Sequence, residues 1–135
     1  MATKHINTKP INIKEVKLPW IKFYLYDWIS DTYEMTPEQR GIYLTLLLRM
    51  YDKKEPLTDD FAMLSRFCNC STRKFGNVVE YLIKIGKVTK TDDGSLWKPE
   101  LEKDLKTFEE EINLANAQME LLYKINEQIG GKYVN

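Results

Sequence analysis

Residues 24–51 read YLYDWISDTYEMTPEQRGIYLTLLLRMY, an aromatic segment that runs into a strong helix start. Thr36 is a good N-cap, and Pro37 occupies the first helical position, where its missing N–H costs nothing. Gln39, three residues after Thr36, completes the pattern of a capping box. Apolar side chains then recur at helical spacing, so the sequence predicts a core helix over 36–52. The recurring residues are Ile42, Tyr43, Leu46, Leu47 and Met50.

Two shorter helices are predicted to follow this core helix. Thr58 is the expected N-cap of a helix over 58–68 that carries two aspartates in its first turn. Ser71 is the expected N-cap of a helix over 72–85, and Gly86 ends it. The two helices and the short link between them form the pattern of a helix-turn-helix. The residues expected on the buried face of the second one are Phe75, Val78, Val79, Leu82 and Ile83.

A β-hairpin is predicted directly after the helix-turn-helix. Asp93-Gly94 is a strong turn signal, and it separates segments 87–91 and 95–98, which alternate as strands do. A hairpin in this position is the wing of a winged helix. The predicted fold class is therefore mainly α with a small β-hairpin, a winged helix-turn-helix over residues 20–98 followed by a long C-terminal helix.

The aromatic residues of segment 20–33 do not alternate regularly. Their density predicts an extended edge strand, or an irregular turn packed over the core. Asp27 and Asp31 lie within this apolar segment, and buried carboxylates need partners. We expect them to cap local backbone N–H groups or to pair with Arg40. The alternative, a catalytic pair of carboxylates, is disfavoured because no histidine, cysteine or metal-ligand set accompanies them.

The long helix is predicted from Pro99 to about Ile129, before a pair of glycines. At about 1.5 Å per residue it would reach roughly 45 Å, longer than a domain of this size can cover. Its apolar residues follow an unbroken 4-3-4-3 spacing, which predicts a coiled-coil seam and self-association as a homodimer or higher oligomer. Asn126 takes an a position, where a polar residue fixes register and strand number. The predicted oligomerisation residues are Leu105, Phe108, Ile112, Ala115, Met119, Leu122, Asn126 and Ile129.

The apolar face of this helix, within the segment 99–135, is wider than a two-stranded coil needs. Leu114, Leu121 and Ile125 lie beside the seam. A helix that packs both on its own domain and on a partner would explain the extra width. The alternative is a helix that breaks near Asn113–Asn116 and folds back onto its own domain, because asparagine is a weak helix former.

The net charge is zero, but the charges are unevenly distributed along the chain. Residues 1–98 carry 16 lysines and arginines against 12 acids, and residues 99–135 carry 4 against 8. A basic body with an acidic tail is a mild indication that the body binds a polyanion. Residues 1–19 combine four lysines with one glutamate and two prolines, which predicts a flexible basic arm. The arm either contacts phosphate or a partner, or is a solvated leader.

Candidate DNA contacts lie on the predicted third helix and on the wing. Arg73 and Asn77 are residue types that read guanine and adenine edges. The lysines of the helix and wing are better suited to phosphate. The competing interpretation is a solvated helix face used for protein contacts, which Glu80 and the zero net charge favour. The candidate DNA-binding residues are Arg66, Thr72, Arg73, Lys74, Asn77, Lys84, Lys87, Lys90 and Lys98.

The sequence contains no Walker loop, dinucleotide fingerprint, nucleophile elbow or HExxH motif. Cys68 and Cys70 are one residue apart, and the only histidine is the distant His5, which does not make a zinc constellation. No apolar run approaches the roughly 20 residues of a membrane span, and the polar N-terminus does not form a signal peptide. We therefore expect a cytoplasmic protein that is no enzyme, has no catalytic residues, and binds no metal, cofactor or membrane.

The motif D-W-x2-D-T, followed after a short gap by T-x3-R-G-x-Y-x2-L-L, resembles a phage and prophage family. Many of its members carry only the name domain of unknown function, and others form the N-terminal part of replisome-organiser-like replication proteins. The resemblance covers roughly residues 20–105 and implies a winged-helix-like fold and a role near DNA replication in a bacterial host cell. It rests on Asp27, Trp28, Asp31, Thr32, Thr36, Arg40, Gly41, Tyr43, Leu46, Leu47, Pro56, Leu57, Asp59, Asp60, Asp93, Gly94, Trp97, Leu101 and Leu105.

Three functions are compatible with these patterns. The favoured one is a phage or prophage replication-associated DNA-binding protein that acts as a homo-oligomer. The second is a non-enzymatic adaptor or inhibitor whose winged helix and long helix bind a host protein, for example a replication protein. The chain has no long C-terminal extension with which larger relatives would engage a helicase or loader, which favours the adaptor. The third, an enzyme acting on nucleic acid, is disfavoured because no catalytic motif occurs.

Overall fold

The fold was examined in a computed structural model that describes residues 12–133, with side chains up to 129. Its contacts divide the chain into two compact units: Lys17–Glu102, and Lys103–Asn135 together with Met1–Val16. Most of the predicted basic arm over 1–19 lies outside the described residues, and its described part begins with a short 3-10 helix, Ile13–Glu15. The α-helices and strands are α1 Leu25–Thr32, α2 Pro37–Lys53, α3 Phe61–Phe67, α4 Thr72–Lys84, β1 Thr89–Lys90, β2 Leu96–Trp97 and α5 Glu100–Tyr133.

The helix start that organises the sequence forms as predicted. The Thr36 hydroxyl accepts a hydrogen bond from the Gln39 backbone N–H at 3.2 Å, and the Gln39 side chain accepts one from the Thr36 N–H at 2.9 Å. This capping box satisfies two of the N–H groups that a helix start leaves open. The helix ends at Lys54, which adopts a left-handed conformation with φ 59°. Helix α2 therefore agrees with the predicted span to within a residue.

The winged helix-turn-helix is confirmed. Helix α4 packs on both α2 and α3, and β1 and β2 form an antiparallel pair in which Thr89 lies opposite Trp97. Gly94, with φ 87°, makes the turn. The sequence did not reveal a third strand position: Leu57 forms an antiparallel bridge with Leu96, through backbone hydrogen bonds of 2.9 and 2.8 Å. A single bridge leaves no alternating pattern in a sequence, which explains why it was not predicted.

The core of this unit is built from α2, α3, α4 and the hairpin. Its largest side chains are fully buried, and Phe61 packs edge-on against Phe75 with ring centroids 5.1 Å apart. Burying each large apolar side chain contributes about 1.5–3 kcal/mol to folding. The predicted buried face of α4 is buried except at Ile83, which is half-buried. The most deeply buried residues of the unit are Tyr43, Leu46, Met50, Leu64, Phe75, Val79, Leu82, Val88, Leu96 and Leu101.

The strand or irregular turn predicted within residues 20–33 is wrong, because Leu25–Thr32 forms helix α1. Trp28 and Thr32 are one helical turn apart, and they are the residues of this helix that turn inward with Asp31. The Trp28 ring stacks on Tyr43 at 5.6 Å, and the Thr32 hydroxyl donates to the Trp28 carbonyl at 2.7 Å. Only one turn of α1 faces inward. The exposed aromatic residues before and after that turn obscure the helical periodicity in the sequence, so the helix was not predicted.

Helix α3 begins three residues later than predicted. Thr58 is not its cap; instead the Asp60 carboxylate accepts a hydrogen bond from the Met63 N–H at 3.0 Å. The bridge between Leu57 and Leu96 holds the chain extended just before Thr58, so the helix cannot start there. Long-range pairing therefore decides between two acceptable cap residues that lie two positions apart.

Helix α5 is continuous from Glu100 to Tyr133. It passes through Asn113 and Asn116, so the predicted alternative of a break at that point is wrong. It also passes through the glycine pair at 130–131, where the sequence predicted its end. Good helix formers surround the two asparagines, so the summed propensity of that stretch still favours helix. About 34 residues at about 1.5 Å each correspond to roughly 50 Å.

Candidate nucleic-acid interface

Helix α4 presents a polar stripe on the side opposite its buried face. Arg73, Asn77, Glu80 and Lys84 are all exposed. At about 100° of rotation per residue these four positions fall within roughly 60° of one another. We call them the α4 stripe. Within residues 12–133, no hydrogen bond or ion pair engages the side chains of Arg73, Asn77 or Lys84. The stripe therefore combines two cations, an amide and one carboxylate that are all accessible to a ligand.

A groove of about 580 Å³ lies where α4 and α2 both begin. Lys74 reaches across it and forms an ion pair with Glu38 at 3.1 Å, with both side chains about half exposed. Helix starts favour anions because their N–H groups point outward. Here Glu38 already supplies a negative charge, so a phosphate would compete with it for Lys74. The lining residues are Thr36, Glu38, Gln39, Ser71, Arg73, Lys74, Asn77 and Val78.

Lys87, at the start of the wing, is engaged by α1. Its amino group lies 3.0 Å from the Asp31 carboxylate, and Lys87 is only about a quarter exposed. The expected pairing of Asp31 with Arg40 is therefore wrong. Arg40 instead donates to the backbone carbonyls of Thr32 and Tyr33, at 3.0 and 3.2 Å, and so closes the end of α1. Asp27, the other carboxylate of this segment, is exposed, so it does not have the environment of a buried catalytic acid.

Lys98 is a structural cation. Its amino group donates to the Tyr43 hydroxyl at 2.9 Å and lies 3.2 Å from the Glu100 carboxylate. Burial alone would lower the pKa of Lys98, but its hydrogen bonds and charge interactions with Tyr43 and Glu100 outweigh burial and raise that pKa. Lys98 thus stays charged and joins α2 to the start of α5. Because its amino group is already engaged by these two contacts, it is poorly available to bind a phosphate.

The remaining candidates are divided between the helices and the wing. Arg66 and Lys90 are exposed, on the last turn of α3 and on β1. The Thr72 hydroxyl lies 3.3 Å from that of Ser65, a buried residue of α3. The tip of the wing is acidic: Asp93 accepts hydrogen bonds from the Thr91 hydroxyl and the Ser95 N–H, which lower its pKa. Phosphate contacts by the wing would therefore come from its strands.

The structure gives the nine candidates unequal access. Lys74 and Lys87 form ion pairs with Glu38 and Asp31, which lie far away in the sequence. Lys98 is held by the adjacent Glu100 and by the distant Tyr43 hydroxyl. The side chains that remain accessible are Arg66, Arg73, Asn77, Lys84 and Lys90. Residue type and spacing identify a basic surface, but they cannot show which cations the fold itself uses.

The predicted oligomerisation residues divide in a similar way. Leu105 and Phe108 are buried within the chain, and Ile112 is half-buried. The later seam residues are exposed: Ala115, Met119, Leu122, Asn126 and Ile129. Three further apolar residues of α5, which lie beside the seam, are exposed as well: Leu114, Leu121 and Ile125.

The two cysteines are free and half-buried. Burial and the neighbouring Cys70 raise the pKa of Cys68 to about 11, and burial with the nearby Glu38 raises that of Cys70. Both are therefore poorly reactive thiols at neutral pH. Within the described part of the chain, no three potential ligands come together in a way that could hold a metal ion.

A family model described as "Protein of unknown function (DUF1376)" matches residues 19–106. The chain belongs to this family. The matched region contains the whole winged helix and the first residues of α5, and it nearly coincides with the region of resemblance in the sequence. Searches of curated proteins and of solved structures found no match. None of the helices, over the residues that are described, has the length and apolar character needed to cross a membrane.

Proposed function

We propose that this protein binds duplex DNA through α4 and the wing, acts as a homo-oligomer, and serves phage or prophage DNA replication without carrying out chemistry itself. The observation that supports this most is the α4 stripe. Arg73, Asn77 and Lys84 are accessible on the helix that occupies the recognition position of a winged helix-turn-helix. A stripe that served only solubility would not need guanidinium and amide groups one turn apart at the start of this helix.

The order of residues along α4 suits a helix that enters the major groove. Arg73 and Asn77 lie in its first half, where recognition helices contact base edges. Arginine can pair with guanine and asparagine with adenine through two hydrogen bonds each. Lys84, at the other end, and Lys90, on β1, are placed for phosphates on either side of such a groove. Arg66 adds a third accessible cation, at the end of α3.

The charge of this surface is modest, so binding should depend strongly on a few residues. Glu80 lies within the α4 stripe, and Glu38 competes for Lys74. With about three accessible cations near phosphate, the affinity should fall with salt with a logarithmic slope of roughly −3. That slope is small compared with those of strongly basic DNA-binding proteins, and a base-specific contribution from Arg73 and Asn77 would have to supplement it.

The test is a gel-shift titration of the full chain with duplex DNA at two salt concentrations. The variant Arg73→Ala should weaken binding by about 1–3 kcal/mol, which corresponds to roughly fivefold to 150-fold. A matched control is Lys53→Ala, an exposed cation at the far end of α2, about 25 Å along the helix from its start. The control should bind as the parent does. DNA contact through α4 would be refuted if the parent protein and both variants bound DNA equally well and if their binding did not change with salt.

The role in replication rests on the resemblance of residues 20–105 to replisome-organiser-like proteins. The resemblance supports our proposal that the protein acts in the cytoplasm of a bacterial host, on phage or prophage DNA. Crosslinking of the protein to DNA in infected or induced cells, followed by sequencing, tests this. Enrichment at a phage replication region would support the proposal, and a uniform distribution over the host chromosome would contradict it.

A second candidate function, an adaptor or inhibitor that binds a host protein, is favoured by a specific surface. Residues 20–33 expose a group of aromatic side chains, among which Tyr26 is 81% and Tyr33 76% exposed. Clustered exposed aromatic residues are typical of protein–protein interfaces. If Arg73→Ala leaves every DNA measurement unchanged while Tyr26→Ser abolishes binding to a host replication protein, the adaptor is the correct function.

A further inference from the structure

The segment that joins α1 to α2 runs alongside one flank of α4. A groove of about 320 Å³ at the far end of α4 contains Asp31 and Glu34 together with Tyr81 and Lys87. The larger groove, where α4 begins, contains Glu38. The segment therefore follows α4 in the opposite direction, from the end of that helix to its start. We call its three carboxylates, Asp31, Glu34 and Glu38, the acidic strip.

The acidic strip borders the α4 stripe. At about 100° of rotation per residue, Lys74 and Tyr81, which line the two grooves, lie about 80–100° from Arg73 around the axis of α4. A recognition helix in the major groove has a phosphate backbone on each of its sides. One of these two backbones would therefore lie over the flank that carries the acidic strip. Carboxylates on that flank repel the duplex unless cations neutralise them.

Two cations on this flank are engaged by the strip, and the two ion pairs differ in exposure. Glu38 lies 3.1 Å from Lys74, and the two side chains are 47% and 52% exposed. Asp31 lies 3.0 Å from Lys87, but the Lys87 side chain is only 24% exposed. An ion pair that is about half exposed is weak, because water screens it. Lys74 is therefore the cation of this flank that a phosphate can reach most easily once its carboxylate partner is removed.

The backbone of the strip is fixed by the fold. Met35, in the middle of the segment, is buried. Arg40 donates to the backbone carbonyls of Thr32 and Tyr33, and the capping box of Thr36 fixes the start of α2. The carboxylates can therefore leave the flank of α4 only by rotation of their side chains.

We propose that Glu38 limits the affinity of the α4 surface for duplex DNA, because it occupies Lys74 in place of a phosphate. This rests on the proposed DNA binding through α4, and it names the residue that sets the affinity and the salt dependence of that binding. The Glu38–Lys74 pair carries no net charge, so Lys74 adds little to the counterion release that drives nonspecific binding. Base contacts by Arg73 and Asn77 then make up a larger share of the binding free energy, which favours specific over nonspecific sites.

The test is a gel-shift titration of the full chain and of Glu38→Gln with a random-sequence duplex at two salt concentrations. The substitution frees Lys74 for one phosphate. We therefore expect the dissociation constant to fall about fivefold or more at low salt, and the logarithmic salt slope to become steeper by about 0.9.

The matched control is Glu34→Gln. It removes an exposed carboxylate of the same strip, one that no ion pair engages within residues 12–133. Its only effect on DNA is a screened charge at a distance, so the affinity should change by less than about twofold and the salt slope should stay that of the parent. An equal gain in affinity for Glu34→Gln and Glu38→Gln would overturn the specific role of the Glu38–Lys74 pair.

The double variant Glu38→Gln/Lys74→Ala tests whether Lys74 is the cause. It removes both members of a neutral pair, so the affinity should return to within about twofold of the parent, with the salt slope of the parent. A gain that persists in the double variant would overturn the proposal, because the freed lysine could not be its source. Circular dichroism checks each variant, since Glu38 lies in the first turn of α2.

The variant Arg73→Ala separates this inference from the proposed function. If Arg73→Ala weakens binding and Glu38→Gln leaves it unchanged, the role of Glu38 is wrong and DNA contact through α4 stands. If neither substitution changes the binding of the duplex, both proposals are wrong.

Discussion

The winged helix of residues 17–102 and the later part of α5 use their side chains in different ways. In the winged helix, apolar groups are buried, and three of the seven candidate cations are held by carboxylates or by a tyrosine hydroxyl. In α5 beyond Phe108, large apolar side chains remain exposed along the helix, and Glu110 and Lys124 are exposed beside them. The first region thus buries most of its large apolar side chains, whereas the second keeps most of its own on the surface.

This difference changes how each residue should be interpreted. A lysine in the winged helix can be a structural group even when its spacing suggests a DNA contact, as Lys98 demonstrates. In α5, large apolar residues are exposed both in the predicted heptad seam and outside it, as Leu122 and Leu121 show. A variant in one region, measured beside a matched control in the other, therefore tests whether the two regions differ in this way.

The largest expected effect is on the stability of the winged helix. Leu82→Ala removes a side chain that is completely buried, so we expect a loss of about 2–5 kcal/mol in the free energy of unfolding. The control, Leu122→Ala in α5, removes a side chain that is 64% exposed and should change stability by less than about 0.5 kcal/mol in dilute solution. Urea unfolding at low protein concentration measures both. Similar losses for the two variants would mean that α5 is as deeply packed as α4.

The second effect separates a structural cation from a ligand-binding one. Lys98→Ala leaves the Tyr43 hydroxyl without its donor, and we expect a loss of about 1–3 kcal/mol in stability. The exposed Lys106 of α5, replaced by alanine, should change stability by less than about 0.5 kcal/mol. Thermal unfolding reports the difference. A stable Lys98→Ala protein that no longer binds DNA would show instead that Lys98 is a phosphate contact.

The third effect is smaller and concerns binding. Glu80→Gln removes the single carboxylate of the α4 stripe, and at about 7 Å in water one charge pair is worth about 0.6 kcal/mol, so DNA affinity should rise roughly threefold. Glu127→Gln, an equal change of charge in α5, should have no such effect. Gel shifts at low salt measure both variants. A decrease in affinity for Glu80→Gln would mean that the carboxylate contacts a base, as glutamate can with cytosine.

Local signals predicted most of the winged helix. The capping box at Thr36, the cap at Ser71 and the Asp93-Gly94 turn are each set by residues within four positions, and all three form. The features that were not predicted depend on distant pairing. The bridge of Leu57 moved the start of α3, and Trp28 is held by its stacking on Tyr43. Lys87 and Lys98 find their partners 56 and 55 residues away. The composition could identify the basic surface, but it could not show which of the lysines are engaged by contacts within the fold.

The smallest expected effect gives the sharpest test of how α5 pairs. Asn126 occupies an a position of the predicted seam, and if the two copies meet there, Asn126→Leu should stabilise the dimer and loosen its strand number. If they meet instead through Leu114, Leu121 and Ile125, Asn126 lies about 120° of rotation away from Leu114, outside the interface. We then expect the dimer dissociation constant to change by less than about twofold, with no trimers or tetramers formed. Sedimentation velocity over a range of concentrations distinguishes these results. Because leucine is a better helix former than asparagine, α5 itself should become slightly more helical in either case, so circular dichroism alone cannot report the interface. A tighter dimer or a mixture of oligomers would place the interface on the seam.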